Sequence, residues 1–365
     1  MLDYLDLSPN EITTVETHSF DGLVNLKILF LSLNKIELIQ KDLLGPLISL
    51  EYFSFTRNEI SNIEANSLDG MQSLTELRLY SNKLRLIKKN MFSSLIKLER
   101  LLLHKNEIEK IEVNSFYGMA SLKKLYLNSN RLKYVSSGLF SGLYNLEELL
   151  LNENQIKSIQ LDSFQDLRKL TYLALFRNKI ETIKDSTFSN LIHLSSLDLS
   201  QNNLISIEYG TFQNLSNLDL FDLSHNYLDG LSEKIFENFD FNGSLNLDFN
   251  FVKRLGANFF LNSLYNLNEL NLRNNELVLI EENSLHSLYK LEKLYLDFNM
   301  LSEMNEKAFS NLAQLKVLSL NSNKLKHMSM IRDALKNFKQ LESIDLSRNF
   351  LEFVNKSDFN CVQLI

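Results

Sequence analysis

Six histidines and a single cysteine are the side chains here best suited to metal or nucleophilic chemistry. The histidines stand at 18, 104, 193, 225, 286 and 327, far apart along the chain. None lies at metal-ligand spacing from a cysteine or an acid. One cysteine, Cys361, excludes an internal disulfide framework and a cysteine-rich metal site. There is no G-x-x-x-x-G-K-S/T phosphate loop, no G-x-G-x-x-G turn and no G-x-S-x-G elbow. No catalytic residue, metal or cofactor is therefore expected. The remaining route to an enzyme is a dyad assembled from adjacent strands.

The chemistry that the spacing does favour is recognition. In LKKLYLNSNRL (122–132) the leucines alternate with polar residues, so Tyr126 and Asn128 should face water from one side of a strand. The same outward position in five successive segments reads Arg78, Leu102, Tyr126, Leu150 and Ala174. The next outward position reads Tyr80, His104, Asn128, Asn152 and Phe176. Side by side, these rows predict an exposed apolar and aromatic patch, the kind of surface that marks an interaction site. His104 reads as a solvated surface histidine rather than a pH sensor.

Charge points the same way. The chain carries a net −7, which argues against a general nucleic-acid binder. Yet residues 78–133 hold thirteen Lys or Arg against four Glu, a local +9. Arg78, Arg100, Lys105 and Lys124 should lie on or beside the patch. Further along, Asp198, Asp222, Asp248 and Asp297 should line the same face. Asp248 and Asp297, both in L-D-F-N, are the candidates for a second contact. Such a bipolar face would steer a partner of complementary charge. Asn214, Asn242 and Asn355 head Asn-x-Ser triplets and are candidate glycosylation acceptors in a secreted protein.

What positions these residues is a repeat. LDYLDLSPNEI (2–12), LKILFLSLNKI (26–36), LTELRLYSNKL (74–84) and LSSLDLSQNNL (194–204) all fit L-x-x-L-x-L-x-x-N-x-L/I. The asparagine recurs every 24 residues from Asn10 to Asn250, then at 275, 299, 323 and 349, which makes fifteen units. An aliphatic residue follows it by five, as in Ile87, and usually a phenylalanine by ten, as in Phe92, Phe116 and Phe140. One unit cannot bury its leucines alone, whereas stacked units make a continuous ladder of parallel strands. Fifteen strands at about 4.8 Å spacing give a sheet roughly 70 Å long. The asparagine amide both donates and accepts, so it can satisfy turn groups of neighbouring coils.

These motifs resemble the leucine-rich repeat family, in the 24-residue class typical of Toll-like receptors, Slit, chaoptin and the acid-labile subunit. The resemblance covers the whole chain. It implies an α/β solenoid, a horseshoe with about 15 short parallel strands on the concave face. Irregular or 3-10 turns and a phenylalanine spine would form the convex side. The proline that relatives often carry six residues after the asparagine is absent, so no subfamily follows. The implied function is protein–protein recognition, as an ectodomain of a receptor, an adhesion protein or a secreted binder. The partner would be a protein ligand or co-receptor, and a homodimer is compatible. No nucleic acid is expected, and a membrane only through a segment outside this sequence. The location is inferred as extracellular or cell-surface. The rival is a cytoplasmic scaffold or regulatory subunit of the same fold, favoured by the lone cysteine and the absence of a visible signal peptide.

The whole of 1–365 reads as a single solenoid with three irregularities. Asn242 occupies a leucine position and the following unit is one residue longer, which predicts a distorted coil over 237–262. Asp333 replaces the phenylalanine, and Ile331, Leu335 and Phe338 predict a short helix near 329–339. Neither end carries a capping module, so the sequence reads as a piece of something longer, and Cys361 as a free thiol.

Overall fold

Each sequence unit becomes one coil that opens with a three-residue strand. The computed structural model describes residues 2–230, 233–237, 239–257, 259–260, 263–355 and 358. The coils gather into two compact units, Met1–Lys179 and Ile180–Ile365. In the first, β1 (Tyr4–Asp6), β2 (Ile28–Phe30), β3 (Tyr52–Ser54), β4 (Glu76–Arg78), β5 (Arg100–Leu102), β6 (Lys124–Tyr126), β7 (Glu148–Leu150) and β8 (Tyr172–Ala174) pair in parallel, each with the next. In the second, β9 (Ser196–Asp198), β10 (Leu220–Asp222), β11 (Ser244–Asn246), β12 (Glu269–Asn271), β13 (Lys293–Tyr295), β14 (Val317–Ser319) and β15 (Ser343–Asp345) do the same. The fold is a solenoid of parallel-strand coils.

The leucine ladder fills the interior of both units. Leu122, Leu125 and Leu127 of one coil are fully buried, as are Leu270, Leu272 and Leu277 of another. Burying a leucine side chain contributes about 1.5–3 kcal/mol, and only stacking provides the cover. Phenylalanines form a second row behind it. Phe92, Phe116, Phe140 and Phe164 stack with centroids 6.0–6.3 Å apart, as Phe188 and Phe212 do at 6.4 Å.

The asparagines lock coil to coil. The amide of Asn130 donates to the carbonyls of Leu103 and Leu127, both at 3.0 Å, and its carbonyl accepts from Ile108 N–H at 2.9 Å. Two of these three partners belong to the preceding coil. From Asn34 onward the residue before each asparagine of the series is left-handed, with φ between 49° and 57°, from Leu33 to Arg348. No β-branched residue occupies that place, because a branched Cβ is strained there.

The coil around Asn242 departs from the pattern. Asn242 is exposed, and Phe241 is buried in place of the missing leucine. Phe241 joins Phe212, Phe221, Phe236 and Phe239 in one aromatic cluster behind β10 and β11. Gly243 follows because a Cβ there would overlap the Asp219 carbonyl oxygen. A 3-10 turn spans Glu233–Phe236, and an α-helix spans Ser329–Leu335. That helix buries Ile331, Ala334 and Leu335. Phe338 beyond it meets Phe309 edge-on, while Asp333 stays at the surface with Lys336.

Candidate functional site

The displayed face of β4–β8 is built by strand register. Arg78, Leu102, Tyr126, Leu150 and Ala174 are direct neighbours on successive strands. Arg78, Leu102, Tyr126 and Leu150 are half-buried, but Ala174 is fully buried and offers nothing to a partner. In the adjoining row Tyr80, His104, Asn128 and Phe176 are half-buried. Asn152, expected to face solvent, is only 6% exposed. Lys105 and Arg100 are exposed.

His104 is not a solvated surface histidine. Its ring stacks on Tyr80 and meets Tyr126 at 6.2 Å on the other side. Its Nδ1 is buried without a hydrogen-bond partner. Burial, then the charge of Lys105, lowers its pKa to about 4, so the imidazole is neutral at physiological pH. Stacking on Tyr80 and a tilted contact with Tyr126 take the place of part of its solvent.

Carboxylates outside the 78–133 window neutralise much of the basic patch. Glu76, whose side chain is 10% exposed, pairs with Arg78 at 2.5 Å and with Arg100 at 3.3 Å. Glu148 pairs with Lys124 at 2.7 Å. Both glutamates occupy the strand position before the apolar one. Burial and a hydrogen bond to Glu148 raise the Tyr126 phenol above its usual pKa. The Tyr126 hydroxyl thus borders the Lys124–Glu148 pair, and its side chain stays half-exposed.

An aromatic run toward β1 lies outside the rows read from the sequence, which begin at repeat 4. Tyr4 meets Phe30 at 5.8 Å, and Phe30 meets Tyr52 at 5.2 Å. The Arg78 guanidinium sits over the Tyr52 ring at 4.8 Å. The same register followed from repeat 1 finds Phe30, and Tyr52 precedes the apolar residue of its strand as Glu76 does.

In the second unit, Asp297 is 4% exposed and spent internally, contrary to its expected display. It accepts from Arg273 Nε at 2.6 Å, from Asn321 N–H at 3.0 Å and from the Ser319 hydroxyl. Arg273 in turn lies over the Tyr295 ring at 3.9 Å. Asp248 is half-buried and accepts from Asn274 at 3.0 Å. The side chains of Asn214, Asn242 and Asn355 are exposed. Cys361 lies outside the described residues. Among the described residues no group of three or more His, Cys, Asp or Glu is placed to hold a metal ion. The displayed faces can bind by stacking, ion pairing and hydrogen bonding.

The leucine rich repeat pattern matches seven segments, 1–54, 25–84, 72–132, 120–180, 168–228, 243–301 and 289–351. The chain belongs to the leucine-rich repeat family. The stretch 229–242, between two of those segments, is where Phe241 has replaced the ladder leucine. Among solved leucine-rich repeat structures, the Drosophila Toll–Spatzle complex superposes with a TM-score of 0.72 at 21% identity, over 96% of this chain and 44% of that one. The chain therefore spans less than half of the Toll chain. A leucine-rich repeat protein of Leptospira interrogans gives 0.64 at 26% identity, over 94% of this chain and 90% of that one. The LRIM1/APL1C complex gives 0.65 at 19% identity, over 97% of this chain and 58% of that one. No curated protein sequence matches the chain. The fold is the one that leucine-rich repeat proteins use to bind other proteins.

Proposed function

We propose that this chain is a non-enzymatic protein-recognition module and that the displayed face of β4–β8 is its principal binding surface. The observation that carries the proposal is the row Tyr80–His104–Tyr126 beside Leu102 and Leu150, half-exposed side chains outside the ladder. A protein partner fits better than a nucleic acid, because Arg78, Arg100 and Lys124 are held by Glu76 and Glu148. Phosphate binding needs cations whose counterions can be released. Similar structures solved with protein partners, Toll with Spatzle and LRIM1 with APL1C, support the same reading.

An extracellular or cell-surface setting, as part of a receptor, adhesion protein or secreted binder, is the setting in which we place it. Three exposed Asn-x-Ser asparagines suit that setting. No helix among the described residues is long and apolar enough to cross a membrane. The test is affinity capture of partners with the intact chain, repeated with Tyr126→Ala and Phe176→Ala. Each should weaken capture of the partner roughly 5- to 150-fold, as loss of an apolar anchor does. Capture that survives both and is lost by changes elsewhere would place the site elsewhere. Expression through a secretory pathway with and without glycosidase tests the setting. No mass shift on any of the three asparagines would count against it.

A further inference from the structure

The second unit displays aromatic rings that its core does not use. His225 stacks on Phe249 at 4.3 Å, and Tyr227 stacks on Phe251 at 5.8 Å with the planes 4° apart. Tyr227 is 52% exposed, Phe249 46% and Phe251 40%, and His225 is exposed too. The two stacked pairs flank Asn226 and Asn250 at the ends of two adjacent strands.

Carboxylates border this patch on its strand side. Asp222 is half-buried and accepts from Ser224 N–H at 2.8 Å and from the Asn246 amide at 3.1 Å. Asp248 accepts from the Asn274 amide. All these donors are neutral, and among the described residues no Lys or Arg pairs with Asp222 or Asp248. Arg273 stands opposite Asp248 on the next coil, where its backbone carbonyl accepts from Phe249 N–H at 3.1 Å, but its guanidinium is held by Asp297.

The chain itself shows what fills such a place. Arg273 lies over Tyr295 while donating to Asp297. Arg78 lies over Tyr52 while donating to Glu76. In both, a guanidinium occupies the space between an aromatic face and a carboxylate, the geometry that its planar cation and forked donors favour. At His225, Tyr227, Phe249 and Phe251 the aromatic faces and carboxylates are present and the arginine is missing.

We propose that this aromatic and acidic surface on the second unit receives an arginine-bearing segment of a partner protein. The guanidinium stacks on the exposed rings and pairs with Asp222 and Asp248. Arginine is specified over lysine because a compact ammonium lacks the planar face. The surface lies wholly in the second unit and does not depend on the face of β4–β8.

A random dodecapeptide phage library selected against the full chain tests this. The expected peptides are enriched in arginine over lysine, and replacing their arginine with lysine weakens binding at least fivefold. The double variant Asp222→Asn/Asp248→Asn should weaken the same peptides at least tenfold, more at low salt than at high. Tyr227→Ser/Phe251→Ser, on exposed rings, checks the aromatic half independently should the first variant fold poorly. Tyr126→Ala should leave these peptides unaffected, which separates this result from the fate of the β4–β8 surface. Selected peptides without arginine enrichment, peptides indifferent to both double variants, or a library that yields no binder to this surface would each overturn the proposal.

Discussion

The His104 imidazole lies flat on the Tyr80 ring, with centroids 4.3 Å apart and planes 12° from parallel. Protonation would place an unpaired charge where Nδ1 has no acceptor. The folded pKa, about 4, is below the unfolded value of 6.5. Stability from the neutral ring is thus fully present above pH 6.5 and is lost as pH falls toward 4. Urea melts at pH 7 and pH 4 should show a smaller pH-dependent loss for His104→Phe than for the parent. Equal losses would mean that His104 titrates as an ordinary exposed histidine.

Asn130 and Asn128 are two residues apart and should differ sharply on truncation. Asn130→Ala strands the Ile108 N–H and takes one of two asparagine donors from each of the Leu103 and Leu127 carbonyls, and should destabilise by about 2–3 kcal/mol. Asn128 makes one long contact, 3.5 Å to Ser129 Oγ, and its replacement by alanine should cost under about 0.5 kcal/mol. Denaturant midpoints of the two variants check this, and similar shifts would contradict the assignment.

The left-handed backbone at Lys105, φ 54°, gives a third expectation. Lys105→Val should lower stability by about 1–2 kcal/mol although the side chain is exposed, because branching at Cβ is strained in this region. Lys105→Gly should stay within about 0.5 kcal/mol of the parent, since relief of strain and greater unfolded-state freedom oppose each other. Thermal melts that rank glycine below valine would refute the conformational argument.

Gly243 has no room for a side chain against the Asp219 carbonyl. Gly243→Ala should therefore destabilise by roughly 1–3 kcal/mol through forced displacement of β10 from β11. Gly22, where an added Cβ would meet nothing within 4 Å, is the control for steric contact, though its φ of 80° carries its own strain. Hydrogen exchange should quicken around Ser244–Asn246 in the Gly243 variant and stay unchanged there in Gly22→Ala.

Period and alternation are enough to read the coil, because every ladder leucine repeats at fixed spacing and burial follows strand parity. The same parity locates the outward rows correctly in register. It fails where lateral contacts decide. Ala174 and Asn152 are outward by parity yet covered, Ala174 because it is smaller than Leu150 beside it. Asp297 follows an L-D-F-N spelling identical to that of Asp248, but Arg273 and Ser319 on flanking coils enclose it. Glu76 and Glu148 are missed when charge is counted along the chain, because their partners lie across it. The replacement of the leucine expected at Asn242 by Phe241 depends on the aromatic cluster behind β10 and β11, which no spacing rule describes.

The asparagine lock also sets an order in time. The Ile12 N–H finds its acceptor in Asn34, and the Leu7 carbonyl receives a donor from the same amide. Ile36 and Leu31 wait likewise for Asn58. Each coil is completed by a residue that the ribosome adds some 22 to 27 positions later. During synthesis the growing tip therefore always carries one turn whose polar groups are still open. Folding of the nascent chain must trail elongation by a full repeat, in the direction from amino to carboxyl terminus.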